Sequence, residues 1–440
     1  MKRLSMLLVC VLIFALAACG APGTTEAPTQ VPASLPTWTP RPSPTSVPTA
    51  TPAPTAAPTG LPIATYTAEL SATVVASLPP TATPKPGEAN VEPGIAGVEV
   101  LPLPDTGTTG PLWAVYSVGM RAFDPPQQHF VAVYARESGG FRELSRLELE
   151  NPDYVDERGV RQVDLAPGRI WLEVQSGVGA HGGCYDLLSF DGQQLHDDVS
   201  SCSASPGASF LKDLNGDGTP EVVLDATDHY VFCYACGVRL VNYAVQRWDG
   251  QKMVEVTLAP LPDSAPAELR TLTNQAVDLA RAGLWKDAQA TISQTLKLGA
   301  SDPAAAWDAG LIRLVAEGRA EQARSGAYPL LDNLFYGDYP AALDVLRQYP
   351  PEQLFAADTP LVKGSMAEGW EQQVTDSITT TTNLALQLKP DLAAAYFLRG
   401  WGVHLTSPAS PGALADVERA AQLAPDDTLF TESLAYLRKR

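Results

Sequence analysis

The sequence predicts an antiparallel all-β region followed by an all-α region, with a long linker in front of both. Three observations support this fold class. Residues 20–92 are rich in Pro, Thr, Ala and Ser, residues 93–262 alternate apolar and polar side chains between turn residues, and residues 263–440 carry apolar side chains at helical spacing. The roughly 350 residues after the linker are enough for two domains.

The first 18 residues have the pattern of a signal peptide. Lys2 and Arg3 precede an apolar run over residues 7–16, which is too short to span a bilayer, since a spanning helix needs roughly 20 apolar residues. The stretch Leu16-Ala17-Ala18-Cys19 resembles the lipobox of bacterial lipoproteins. The resemblance implies cleavage before Cys19, lipid on its sulfur, and anchoring outside the cytoplasm to the cell membrane or outer membrane. The alternative is an ordinary secretory signal with a chance cysteine.

Residues 19–92 are predicted to be the lipidated cysteine and a disordered spacer, because such a composition buries too little apolar surface to offset the entropy of ordering. Within it, the more apolar residues 61–78 are compatible with a transient helix. The formal net charge of −19, without any basic run, argues against a nucleic-acid partner.

Four cysteines remain after Cys10 leaves with the signal peptide and Cys19 takes lipid: Cys184, Cys202, Cys233 and Cys236. An even number in an exported chain favours disulfides. The turn Asp191-Gly192 lies near the midpoint between Cys184 and Cys202, so a cross-strand bridge is expected there, with Cys233 and Cys236 pairing locally. Two alternatives stay open: a metal site using His229, Cys233 and Cys236 with Cys184 or His181, and a redox-active CxxC.

Turn signals divide residues 93–262 into strands. Ser138-Gly139-Gly140, Asp191-Gly192 and Asp249-Gly250 each separate two runs with strand character, which predicts three hairpins. The recurrence of a strand, an aromatic residue and a turn at similar spacing predicts repeated antiparallel units of the β-propeller kind.

The sharpest motif of this region is Asp213-Leu214-Asn215-Gly216-Asp217-Gly218-Thr219-Pro220-Glu221. Oxygens at positions 1, 3 and 5, a glycine at 6 and an acid at 9 are typical of a calcium loop. Leu224 stands where an EF-hand needs Glu, and strand-like runs flank the motif, so it resembles the loop of FG-GAP (integrin α-chain N-terminal-like, VCBS-like) repeats. The resemblance implies structural Ca²⁺ held by the side chains of Asp213, Asn215, Asp217 and Glu221 and the carbonyl of Thr219. The alternative is a Gly-rich turn with solvated acids.

The region 263–440 resembles tetratricopeptide repeats. Gly283-Leu284-Trp285 and Gly337-Asp338-Tyr339 match the turn between the two helices of a repeat, and Pro390 and Pro425, 35 residues apart, match repeat ends. Tyr396, Gly400 and Ala420 fall at the packing positions of that family. The resemblance implies a short helical solenoid that binds an envelope or extracellular protein or peptide. The alternative is a helical domain that merely covers the β region.

No catalytic set is predicted. The glycines of Gly177-x-Gly179-x-x-Gly182 match a dinucleotide fingerprint, but the following residues have strand character where that motif requires a helix. The sequence therefore predicts a membrane-anchored binding or scaffold protein that is not an enzyme, in which the Ca²⁺-stabilised β region binds a partner or a glycan. The alternative is a cell-envelope hydrolase with its site near His181 and this glycine-rich loop.

Overall fold

The computed structural model describes residues 63–78, 95, 97–103, 110–121, 127–298 and 302–439. All of them belong to one unit, Leu61–Arg440. The signal peptide, Cys19 and most of the predicted spacer lie outside the described residues.

Twelve antiparallel strands form two sheets in the described part of residues 93–262. The first sheet has eight strands in the order β4-β3-β2-β5-β6-β7-β8, with β1 also paired to β2, and the second has the order β12-β11-β10-β9. The strands are β1 (Gly97–Leu103), β2 (Leu112–Met120), β3 (His129–Glu137), β4 (Gly140–Leu149), β5 (Tyr154–Val163), β6 (Ile170–Val178), β7 (Gly182–Phe190), β8 (Leu195–Ser203), β9 (Phe210–Lys212), β10 (Glu221–Asp225), β11 (Tyr243–Trp248) and β12 (Met253–Val256).

The three predicted hairpins are confirmed: β3–β4, β7–β8 and β11–β12 are antiparallel pairs around the expected turns. The two Asp-Gly turns share one local mechanism. Asp191 Oδ1 accepts from the backbone N–H groups of Gln193 and Gln194, and Asp249 Oδ1 accepts in the same way two and three residues further on. An aspartate that bonds its own backbone in this way fixes a turn and hence the register of the flanking strands.

The eight-stranded sheet differs from a set of separate blades. Most of β2 pairs with β1 and β3, but its end, Gly119–Met120, pairs with β5, so hydrogen bonding passes from the first group of strands to the second. The sheet then curls until its ends meet, where the N–H of Leu195 in β8 donates to Ser145 Oγ in β4 (2.9 Å). One apolar cluster with members from all eight strands fills the inside of this curl, so these strands share one core. Among the described strands, β9–β12 alone form a separate sheet.

Two further layers cover the outside of the curled sheet. Helix α1 (Ile63–Ser77), which lies inside the range predicted as spacer, packs Leu70 and Val74 against Trp113 and Val115 of β2. On the other half, Val222 of β10 belongs to a cluster with residues of β6–β8. Because an unpaired helix buries its apolar stripe only against another element, α1 belongs to the folded region rather than to the spacer.

Residues 263–440 are all-helical in their described part, as predicted. The helices are α2 (Ala267–Arg281), α3 (Trp285–Thr295), α4 (Pro303–Ser325), α5 (Pro329–Tyr336), α6 (Tyr339–Leu346), α7 (Pro351–Leu354), α8 (Glu371–Leu388), α9 (Ala393–Thr406), α10 (Pro411–Leu423) and α11 (Thr428–Leu437). The predicted turns at Gly283 and Gly337 separate α2 from α3 and α5 from α6, and the ends of α8 and α10 precede Pro390 and Pro425.

Close packing of α9 on α10 depends on Gly400. A Cβ at this position would lie 2.8 Å from the carbonyl oxygen of Ala413 and 2.9 Å from Val417 Cγ2. The backbone of α9 therefore lies so close to α10 that there is no room for a side chain at position 400. This agrees with the packing role predicted for Gly400.

No helix among the described residues is both long enough and apolar enough to cross a membrane.

Candidate functional site

The loop 213–221 joins β9 to β10 and is organised by its own acidic and amide side chains. Asp213 Oδ1 and Oδ2 accept from the N–H groups of Gly216 (2.7 Å) and Gly218 (2.9 Å). Asn215 Oδ1 accepts from Asp217 N, and Asp217 Oδ1 from Thr219 N, both at 2.8 Å. Gly216 and Gly218 have φ angles of 81° and 91°, which few other residues adopt. The five predicted ligand positions are thus neighbours in one tight loop.

Glu221 is the buried acid of this loop, 2% exposed at the start of β10. Its Oε2 accepts from the N–H of Leu214 (2.8 Å). Burial, with the nearby Asp217 and Asp213, raises the pKa of Glu221 to about 7, although the Leu214 hydrogen bond opposes the rise. A cation beside the Glu221 carboxylate would counteract the rise in pKa that burial and the two neighbouring acids cause.

The donor set fits calcium by chemistry, since every predicted ligand atom is a hard oxygen. Asn215 Nδ2 donates to Asp217 Oδ2 (2.8 Å). In this structure an N–H group thus binds the oxygen that would otherwise bind the cation. Within the described part of the chain, no group of three His, Cys, Asp or Glu side chains is arranged to hold a metal ion. A calcium ion here would need the Asn215 side chain and the Thr219 carbonyl as ligands in addition to the three carboxylates of the loop. The calcium site therefore stays a prediction.

The loop also touches the helical region, which the sequence does not reveal. Leu214, 5% exposed, packs against Leu311 and Leu314 of α4. A Cβ on Gly310 of α4 would lie only 2.4 Å from the carbonyl oxygen of Leu214. Leu214 thus donates its N–H to the buried Glu221, and its carbonyl oxygen lies against α4. The conformation of the loop and the packing of α4 are therefore linked.

Helix α4 makes further contacts with the β region. Arg319 Nε donates to the carbonyl of Val241 (3.0 Å), and Gln322 Nε2 to that of Gly237 (3.0 Å). Asp308 Oδ1 accepts from Ala259 N (3.0 Å), and a Cβ on Gly318 would lie 2.7 Å from Val241 Cγ1. Burial lowers the pKa of Arg319 to about 10. We call this set of contacts between α4 and residues 214–259 the α4 junction.

The loop 226–242, between β10 and β11, reaches into the core of the helical region. Phe232 is 4% exposed and stacks on Trp370, with ring centroids 6.0 Å apart, and it also contacts Tyr328 (5.8 Å). Cys236 and Val238 belong to the same buried cluster as helices α2–α11. A segment placed by sequence in the β region therefore supplies part of the helical core.

Both predicted disulfides are present: Cys184 bonds Cys202, and Cys233 bonds Cys236. Cys184 and Cys202 face each other in the β7–β8 register, as the turn between them indicated. Disulfide sulfurs are not free thiolates, so the alternative metal site built on His229, Cys233 and Cys236 does not apply to this structure. Two such bonds indicate an oxidising, extracytoplasmic compartment.

A cleft of about 630 Å³ opens beside the α4 junction. The β region contributes Asn215, Gly216, Asp217 and Arg247. Its helical wall comes from α2, from the end of α3 and from the first half of α4. These helical residues are Leu269, Thr295, Leu296, Asp302, Pro303, Ala305, Ala306, Trp307, Ala309 and Arg313.

Three of the histidines have partners that the sequence does not reveal. Ser117 Oγ lies 2.9 Å from His129 Nδ1, but both residues are 0% exposed. His181, named in the hydrolase alternative, stacks on Tyr234 with centroids 5.1 Å apart. The buried His229 pairs through Nε2 with Asp225 Oδ2 (3.1 Å). The glycine-rich stretch 177–182 joins β6 to β7, so a strand follows it, as predicted.

No protein-family model and no curated protein matches the chain. The resemblances to lipoproteins, to FG-GAP loops and to tetratricopeptide repeats therefore depend on the motifs themselves and on the local geometry around them.

Proposed function

We propose that the chain is a lipid-anchored, extracytoplasmic binding or scaffold protein in which a calcium ion in the loop 213–221 stabilises the contact between the β region and a partner-binding helical region. The observation that carries this proposal is the position of Leu214. It lies inside the candidate calcium loop and packs directly on α4. An ion that fixes the loop would thereby fix the α4 junction.

Calcium would be held by Asp213, Asn215, Asp217 and Glu221 and by the Thr219 carbonyl, and it supplies a fixed positive charge that offsets the buried Glu221. Titration calorimetry tests this on the mature chain. We expect one site with a Kd of roughly 10⁻⁴–10⁻³ M, as in extracellular modules. Asp217→Ala should weaken it about tenfold or more.

The matched control for calcium is Asp249→Ala. Asp249 also accepts from two backbone N–H groups of an Asp-Gly turn, but it has no neighbouring ligand set. The control should bind calcium like the unmodified chain. Absence of binding at millimolar Ca²⁺, or equal binding by the Asp217→Ala variant, would reject the site.

The anchor is tested by fractionating cells. Cys19→Ala removes the only sulfur that the lipobox resemblance assigns to lipid, so the variant should move to the soluble fraction. Cys10→Ala is the control, because Cys10 leaves with the signal peptide. Retention of the Cys19→Ala variant on washed membranes would contradict lipid anchoring.

The partner surface is proposed to include Leu384 and Leu388, which are one helical turn apart on α8 and are 42% and 40% exposed. Exposed apolar side chains grouped on a helix are typical of protein contacts. Cross-linking of the anchored chain in intact cells should give a product that Leu384→Asp with Leu388→Asp abolishes. Met120→Asp, at an exposed site on β2, should leave the product unchanged. An unchanged pattern in the α8 variant would contradict this surface.

A further inference from the structure

The cleft beside the α4 junction combines an apolar wall with two arginine side chains. Leu269 and Trp307 form part of the wall, and Leu296 is 66% exposed at the end of α3, the largest exposed fraction among the large apolar side chains of the described residues. Such a side chain gains about 25 cal/mol for each Å² of apolar surface that a ligand covers. The wall therefore favours a ligand with an apolar body.

The two arginines are Arg247 of β11 and Arg313 of α4. Among the described residues neither forms an ion pair, whereas many other arginines of this acidic chain do, such as Arg399 with Asp416. Arg313 Nε donates to the carbonyl of Ala309 in its own helix, and the Arg247 guanidinium lies 5.9 Å from the ring centre of Trp307. Both keep donor groups for an anion, and arginine binds carboxylates in paired hydrogen bonds.

Two acids share the cleft, and both are engaged locally. Asp302 accepts from the N–H groups of Ala304 and Ala305 at the start of α4. Asp217 accepts from Thr219 N and Asn215 Nδ2 in its own loop. Both carboxylates thus accept hydrogen bonds within their own turns. No ion pair among the described residues joins either of them to Arg247 or Arg313, although the hydrogen bond from Asn215 and, to a smaller extent, the positive charge of Arg247 lower the pKa of Asp217.

We propose that this cleft is a binding site for a small organic anion that joins one carboxylate to an apolar body. The carboxylate is held by Arg247 and Arg313, and the apolar body lies against Leu296 and Trp307. A volume of about 630 Å³ is within the ordinary range for small-ligand sites. The terminal residue of a peptide and a free branched-chain acid both have this chemistry. The site goes beyond the protein-binding role proposed above, and it does not require calcium.

Titration calorimetry on the full mature chain tests the site with three probes: N-acetyl-leucine, its neutral analogue N-acetyl-leucinamide, and 4-methylpentanoate. N-acetyl-leucinamide, which lacks the carboxylate, should bind about tenfold or more weakly than N-acetyl-leucine. Arg247→Gln and Arg313→Gln should each weaken the binding of N-acetyl-leucine by a similar factor, since charge-assisted hydrogen bonds are lost. Arg158→Gln, at an exposed arginine of β5, should change nothing. Preference for N-acetyl-leucine over 4-methylpentanoate indicates a peptide terminus as the source, and the reverse indicates a free acid.

Equal binding of the acid and the amide, or no binding of either acid, would overturn the proposal. If Arg313→Gln changes the circular dichroism spectrum, Leu296→Asp is used as the test variant instead. The exposed Leu296 side chain does not take part in the packing of α4, and a carboxylate at this position should repel the ligand and weaken its binding. Each titration is repeated with EGTA in place of Ca²⁺. Binding that persists in EGTA supports the cleft independently of the calcium site, so failure of one proposal is distinguished from failure of the other.

Discussion

The β region and the helical region are stabilised in different ways, and the contact between them uses features of both. The curled sheet encloses one apolar core and has a covalent cross-link between β7 and β8. The helical region has no disulfide within its described residues and depends on close approach of backbones, as at Gly400. The α4 junction combines both patterns. Gly310 and Gly318 of α4 face the β region, and the Cys233–Cys236 disulfide lies in the loop 226–242 that reaches the helical core. The boundary between the two regions therefore contains close backbone approaches and specific hydrogen bonds of its own.

The largest effect is expected from the cross-strand disulfide of the β region. Its 18-residue separation predicts that Cys184→Ser with Cys202→Ser costs about 3 kcal/mol, because the unfolded chain regains freedom. The matched pair Cys233→Ser with Cys236→Ser spans only 3 residues and should cost about 2 kcal/mol. Urea unfolding under oxidising conditions measures both. A larger loss from the shorter bridge would mean that the junction loop, rather than the sheet, limits stability.

The helical region is tested by a pair of glycine substitutions. Gly400→Ala places a methyl group 2.8 Å from the Ala413 carbonyl oxygen and should cost about 2 kcal/mol. Gly412→Ala, in the first turn of α10, meets nothing closer than 3.5 Å and should be neutral or about 0.5–1 kcal/mol stabilising. Equal effects of the two substitutions on the urea midpoint would show that α9 and α10 are not in close contact.

The smallest of the three effects concerns Asp308 at the α4 junction. Burial raises the pKa of this carboxyl to about 6, while Arg281 and the hydrogen bond from Ala259 N oppose the rise. The folded state therefore binds the proton more tightly than the unfolded chain, in which an Asp has a pKa of about 3.9. Stability from this group is fully present below about pH 4 and is lost as the pH rises through about 6.

Asp308→Asn removes this dependence, so it should raise stability by about 1–2 kcal/mol at pH 8 and change it little at pH 4. Urea unfolding at the two pH values measures the difference. Asp249→Asn is the control, because backbone hydrogen bonds lower the pKa of that exposed carboxyl and the substitution gives no gain at pH 8. An Asp308→Asn effect that is the same at both pH values would contradict the buried, protonated state.

Local signals in the sequence predicted the local structure. The Asp-Gly turns, the cysteine pairing around Asp191 and the helix turns at Gly283 and Gly337 depend on residues close together in the chain, and the structure confirms each of them. The continuous eight-stranded sheet was not predicted, because the pairing of Gly119 with Val155 leaves no local pattern.

The α4 junction was not predictable for the same reason. Gly310 and Leu214 are 96 residues apart in the sequence, and Phe232 reaches Trp370 across a still longer separation. The sequence around Phe232 indicates only a strand or loop, and Gly310 lies in a stretch that is assigned only to the helical region as a whole. Of the candidate site, the loop 213–221 was found from its spacing, whereas Arg247 and Arg313 of the cleft carry no motif that links them.

We expect the α4 junction to join the β region and the helical region into one folding unit. Differential scanning calorimetry of the mature chain and of Gly310→Val tests it, since the new side chain would begin 2.4 Å from the Leu214 carbonyl oxygen. We expect a single transition for the unmodified chain, with equal calorimetric and van't Hoff enthalpies, and two separate transitions for the variant. A variant that unfolds in one transition at the unmodified midpoint would contradict it.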